Sequence, residues 1–251
     1  MSAYNWHSFW RDYMLFRTAI LIIHGFAGGV YDLEKLDHYL ELNPSYDVYS
    51  YTLPGHEENT KIKSKYIDWI DESEKQIQFL IDHDYKKIYV VGHSMGGVIA
   101  SFLATKYKEV KRTVLLAPAF KYFYQENDSL ITILKKGNLL IKDYGLEKVV
   151  SRFTKARINS VKEFMKLVKH YYDTPSLIYV PTLILQGLND KIVPIESSKY
   201  VYDNLKGPKW LVYVKNTNHD IFKSKYKDEI CQIIGDFLKK SIIQDTVYTI
   251  E

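Results

Sequence analysis

The sequence predicts an α/β fold: a mostly parallel central sheet with helices on both faces and a small, mainly helical insertion. Three observations predict it. Short apolar runs alternate with segments of helical period along most of the chain. The runs are apolar throughout instead of at every second residue, which is the pattern of parallel strands covered on both faces. Residues 119–176 break the alternation and hold no convincing buried strand.

Taken in order, "AILIIHG" (19–25) is a buried strand that ends in glycine, and Leu33, Leu36, Tyr39 and Leu40 then recur at helical spacing. "YDVYSYTLPG" (46–55) is the next strand, stopped by Pro54 and Gly55. Ile67, Ile70, Ile77, Leu80 and Ile81 share one face of a helix within 63–82. "KIYVVG" (87–92) and "TVLLAP" (113–118) are strands, separated by the helical "VIASFLATKY". "PTLILQG" (181–187) and "WLVYV" (210–214) complete the set of six strands. The last helix carries Ile230, Ile233, Ile234, Phe237 and Leu238 at i, i+3, i+4, i+7 and i+8. The core is therefore expected to comprise 1–118 and 177–251, with 119–176 as an insertion packed over the strand ends. Within it, "SLITILKKGNLLI" and "SVKEFMKLVKHYY" read as helices.

Composition narrows the function classes. A chain of 251 residues with 46% hydrophobic content suits one large domain. The net charge of +4 is small and its basic residues are scattered, so nucleic acid is not an expected partner. The single cysteine, Cys231, rules out an intramolecular disulfide and fits a reducing compartment. "MSAYNWHSFWRDYMLF" lacks the continuous apolar region of a signal peptide. No apolar run approaches the ~18 residues needed to span a bilayer. A cytoplasmic protein without stable membrane insertion is expected.

The chemistry centres on "VVGHSMGGV" (90–98), where Gly92-His93-Ser94-Met95-Gly96 matches G-x-S-x-G between a strand and a helix. Small residues two positions either side let strand and helix approach while the serine is forced into an unfavourable backbone conformation. A hydroxyl is a weak nucleophile until a base takes its proton, and histidine is the natural base near neutrality. His219, in "VKNTNHDIF" after the last strand, is favoured because its loop can reach back over the sheet; His56, in "LPGHEEN", is the other candidate and could line a pocket. His93 is adjacent to Ser94, so its side chain is expected to point elsewhere, and His24 is expected to brace its own loop. Asp190, in "LILQGLNDKIVP", can orient the base; Asp220, too close to His219 to orient its ring well, is the weaker candidate, and Asp203 reads as a surface residue of a helix. The order Ser94, Asp190, His219 is that of one hydrolase scaffold. The amides of Met95 and of Phe26, in "HGFAGG", are the candidate oxyanion donors. The glycine-rich "HGFAGG" lacks the lysine and hydroxyl of a phosphate-binding loop.

With these pieces assembled, the chain resembles the α/β-hydrolases, and more narrowly the small bacterial carboxylesterases and monoacylglycerol lipases. "LIIHGFAGG", "YTLPGHE", "VVGHSMGG", "PTLILQGLNDKIVP" and "NTNHDIF" carry the resemblance across nearly the whole chain. It implies Ser94 as nucleophile, Asp190 as acid, His219 as base, and Phe26 and Met95 as oxyanion donors. It also implies a cap formed by residues 119–176 over an acyl pocket. His56, Phe120, Tyr124 and Ile192 are expected at that pocket. The implied reaction is ester cleavage through an acyl-enzyme, with no metal or organic cofactor and a small-molecule ester or monoacylglycerol as partner. Activity is expected to rise with pH as the base loses its proton and then to level off. A thioesterase using the same residues, and a ligand receptor with little turnover, are the alternatives. A third is non-hydrolytic chemistry on the same fold.

Overall fold

The computed structural model describes residues 17–57, 61–121 and 158–251. Seven strands form one sheet: β1 (Thr18–Ile23), β2 (Tyr46–Tyr51), β3 (Ile88–His93), β4 (Val110–Leu116), β5 (Thr182–Gly187), β6 (Lys209–Val214) and β7 (Thr246–Ile250). Their order is β2-β1-β3-β4-β5-β6-β7, and every neighbouring pair is parallel. Six of them are the expected strands, with ends shifted by a few residues. β7 is an addition: it pairs with β6 along the outer edge, Trp210 opposite Thr246 through Val214 opposite Ile250.

Helices connect the strands: α1 (Glu34–Glu41), α2 (Tyr66–Asp82), α3 (Met95–Lys106), α4 (Ile158–His170), α5 (Ile195–Asn204) and α6 (Lys227–Lys239). The alternation of side chains along each strand divides the apolar residues between two cores. Leu21, Ile23, Val90, Leu115 and Ile184 face the core completed by Ile70 and Ile77 of α2, Val98 and Leu103 of α3, and Phe164 and Leu167 of α4. Ile20, Ile22, Val91, Val114, Leu183 and Val212 face the core completed by Leu36 and Leu40 of α1 and Ile230, Ile234 and Phe237 of α6. Cys231 is packed in this second core, where burial pushes its thiol up to about 11.

The topology fixes where a site can form. From β1 the chain moves outward to β2, returns to β3 on the other side of β1, and then continues in one direction to β7. The strand order reverses between β1 and β3, and in open parallel sheets ligand sites form outside the carboxyl ends of the strands at such a reversal. The loop at Gly25 and the turn at Ser94 follow those ends.

The described part of the expected insertion is its two ends, 119–121 and 158–176. α4, at its second end, packs against α2 and α3, and Phe164 and Leu167 are fully buried. Tyr124, expected at the pocket, lies outside the described residues. Among the described residues no helix is long and apolar enough to cross a membrane.

Candidate active site

Ser94 joins the end of β3 to the start of α3 with φ 55° and ψ −114°, a left-handed conformation that side chains disfavour. Its surroundings hold it there. The Ser94 N–H donates to the Leu116 carbonyl of β4 at 2.8 Å, and its own carbonyl accepts from Gly97 at 3.0 Å and Ala119 at 3.2 Å. Both flanking glycines are needed for close approach. A Cβ on Gly92 would lie 2.1 Å from the Gly96 carbonyl oxygen, and one on Gly96 would lie 2.2 Å from that of Ile23. The turn is thus clamped between its own helix and the end of β1.

That contact brings the β1 loop beside the serine. A Cβ on Gly25 would meet Ser94 Cβ at 3.2 Å and His93 Nδ1 at 3.1 Å. Gly28 N–H donates to the Gly25 carbonyl at 3.2 Å, closing a tight turn through Phe26 and Ala27, and Ala27 takes φ 55°. His24 braces this loop as expected: its Nδ1–H donates to the Gly25 carbonyl at 2.8 Å, and its Nε2 accepts from Leu53 N–H at 3.0 Å. Met95 is the first residue of α3, where backbone amides have no intrahelical acceptor and the helix dipole is positive. The Phe26 ring packs against Phe164, with centroids 5.3 Å apart and planes 13° apart, and edge-on against Trp69 and His56.

The loops after β5 and β6 supply the other two expected side chains. His219 Nδ1–H donates to Asp190 Oδ2 at 2.7 Å, with the Asp190 side chain fully buried and that of His219 nearly so. Asp190 Oδ1 accepts from Ile192 N–H at 2.8 Å and Val193 N–H at 2.9 Å. Oδ2 accepts a second bond from Gln186 Nε2 at 3.1 Å. Glycine is again required: a Cβ on Gly187 would lie 2.3 Å from the Thr217 carbonyl oxygen, so the end of β5 runs directly beneath the loop that carries His219.

His93 links the two halves. Its side chain reaches the His219 loop. Its Nε2–H donates to the His219 carbonyl at 3.1 Å, and the two rings lie 4.7 Å apart. Its Nδ1 is buried without a hydrogen-bond partner among the described residues. Burial first, and the neighbouring His219 second, lower its pKa from 6.5 to about 4, so the ring is neutral at physiological pH.

Of the residues expected at a pocket, His56 is buried against Phe26, Trp69 and His24. Ile192 is half-buried beside Asp190. Phe120 is fully buried, its ring 6.2 Å from that of Tyr200. Among the described residues no group of three or more His, Cys, Asp or Glu side chains could hold a metal ion. His93 and Gln186 were not marked by motif spacing as part of the site. Gln186 carried one signal, a lone amide in an otherwise apolar strand.

Comparison with known proteins gives a consistent picture. A family model described as alpha/beta hydrolase fold matches residues 18–165, more than half of the chain. A second model, PhoPQ-activated pathogenicity-related protein, matches residues 137–247. A carboxylesterase from Bacillus subtilis (strain 168) is 24% identical over 230 residues, covering 88% of this chain and 92% of its own. Among solved structures, the Paleococcus ferrophilus monoacylglycerol lipase is 17% identical with a TM-score of 0.66, over 88% of this chain and 93% of the other. An esterase from Exiguobacterium antarcticum is also 17% identical, with a TM-score of 0.67 over 89% of this chain and 92% of the other.

Proposed function

This chain belongs to the α/β-hydrolase fold family, and from that premise we propose that it is a serine hydrolase that cleaves carboxylic esters, of the carboxylesterase or monoacylglycerol lipase type. One observation carries the reading. A strained serine at the carboxyl end of the sheet shares its turn with His93, which is bonded to the same residue, His219, that donates to the buried Asp190 carboxylate. A serine in that conformation has a structural cost that an ordinary βα turn does not require.

In this reading His219 takes the Ser94 proton through Nε2 as the hydroxyl attacks the ester carbonyl. Asp190 fixes the imidazole tautomer, with the proton on Nδ1, and stabilises the cation that forms. The amides of Phe26 and Met95 receive the oxyanion. The imidazolium then protonates the leaving alcohol, and water activated by the same histidine releases the acid. The names of the B. subtilis relative and of the P. ferrophilus lipase favour an ester substrate. The protein would work in the cytoplasm on a small-molecule ester, beneath a cap drawn from residues 119–176.

The test is direct. Ser94→Ala is expected to abolish hydrolysis of p-nitrophenyl esters and monoacylglycerols while the protein stays folded. A fluorophosphonate probe is expected to label Ser94, and His219→Ala to lose that label. Retained turnover in Ser94→Ala removes the nucleophile assignment. A panel from acetyl to palmitoyl esters, with acyl-CoA thioesters alongside, identifies the leaving group. Turnover of no more than one equivalent would favour a ligand receptor.

A further inference from the structure

Gln186 is the last polar residue of β5 before the turn to Asp190, and it is completely buried. An amide in that position needs partners on both sides. Its Oε1 accepts from Ser198 Oγ–H at 2.6 Å. Its Nε2 faces three oxygens: Asp190 Oδ2 at 3.1 Å, the Gly187 carbonyl at 3.2 Å and the Val193 carbonyl at 3.2 Å. Turning the amide over would set an oxygen against all three. These three oxygens select the orientation in which nitrogen points at the carboxylate, and Ser198, itself fully buried on α5, completes it by donating to Oε1.

The consequence falls on Asp190. Two backbone donors hold Oδ1. Gln186 Nε2 holds Oδ2, so the carboxylate plane is pinned at both oxygens while Oδ2 also accepts from His219. We propose that Gln186 is a positioning residue for the acid–base pair: it fixes the plane of the Asp190 carboxylate so that Oδ2 faces the Nδ1–H of His219. Gln186 touches no substrate and acts only through Asp190. The line of support runs from Ser198 on α5, through Gln186 in β5, to the loops after β5 and β6. It joins one helix of the core to the two loops that carry the pair. This proposal rests on the assignment of Asp190 and His219 given above.

The test separates a positioning role from mere packing. In proton NMR the imidazole N–H bonded to a carboxylate resonates far downfield, and Asp190→Ala identifies that signal by removing it. Gln186→Met keeps the length of the side chain and deletes the donor. It is expected to shift or abolish the signal, lower kcat by about 10- to 100-fold, and leave KM within about twofold. Ser198→Ala, which leaves the buried Oε1 without its donor and so loosens the amide, is expected to move the signal the same way with a smaller loss of kcat. If Gln186→Met does not fold, Ser198→Ala provides the same readout. An unmoved signal in the folded variant overturns the proposal whatever the rate. So does a parent spectrum from which Asp190→Ala removes nothing. Full turnover in His219→Ala would defeat the triad, yet the resonance still decides what Gln186 does.

Discussion

His93 is next to Ser94 in sequence and against His219 in space, yet its chemistry is the opposite of a base. Both ring nitrogens are shut from water, and the only hydrogen bond it makes among the described residues needs a proton on Nε2. A second proton would place a buried cation beside the His219 imidazole, which the proposed mechanism charges in its turn. The depression from 6.5 to about 4 expresses that conflict. The unfolded chain binds this proton more readily than the folded one, so stability rises with pH across the window between the two values. The contribution is intact above pH 6.5 and is lost as pH falls through about 4, at a cost of about 3 kcal/mol. His93→Gln places an amide nitrogen near Nε2 but does not titrate. Urea denaturation between pH 7 and pH 4 is therefore expected to show the parent losing about 3 kcal/mol more than His93→Gln. Parallel losses would mean that His93 is not the group that resists protonation.

At the scale of elements, the site is made by strands and helices approaching more closely than side chains allow. Gly96 stands on the first turn of α3 with the β1 carbonyls of Ile23 and His24 against it. Backbone offers no rotamer by which to yield. Gly96→Ala is expected to destabilise by about 1–3 kcal/mol, measurable as a lowered melting temperature. It is also expected to reduce ester turnover, because the displaced helix carries Ser94 and Met95. A variant of undiminished stability would show that the turn can relax. This part of the design was legible in sequence, since G-x-S-x-G between an apolar run and a helical pattern specifies both the bend and its glycines. Five strands were legible because each holds a continuous apolar run bounded by a turn signal; β2, interrupted by Asp47 and Ser50, was legible from its Tyr and Val residues and the Pro54-Gly55 stop. β7 was not. In Thr246–Ile250 exposed and half-buried residues alternate before Ile250, and a five-residue run at an edge resembles a polar tail until β6 is there to pair with it. His93 and Gln186 escaped for a different reason. Their roles depend on which loops the sheet brings together, and spacing along the chain carries no record of that.

At the scale of the whole molecule, the loop after β1 is packed by an element from the segment expected to be an insertion. α4 packs against α2 and α3 as a core helix does, and Phe164 reaches from it to stack on Phe26. Trp69 of α2 and His56 complete the aromatic box around the Phe26 ring. The β1 loop gains its rigidity from this box as well as from its own hydrogen bonds, because the strained Ala27 conformation needs neighbours that prevent relaxation. Two functions then meet in one side chain. Removing the Phe164 ring opens a cavity in the main core, which typically costs about 3–5 kcal/mol. It also frees the Phe26 side chain, and with it the amide proposed to receive the oxyanion. Phe164→Ala is therefore expected to lose stability and kcat together, the latter by about tenfold or more at a temperature where the variant remains folded. Phe164→Leu restores much of the volume without the stacked ring, so it should recover stability more fully than turnover. If instead the alanine variant, once shown to be folded, hydrolyses esters at the parental rate, α4 stabilises the molecule but has no part in holding the oxyanion loop.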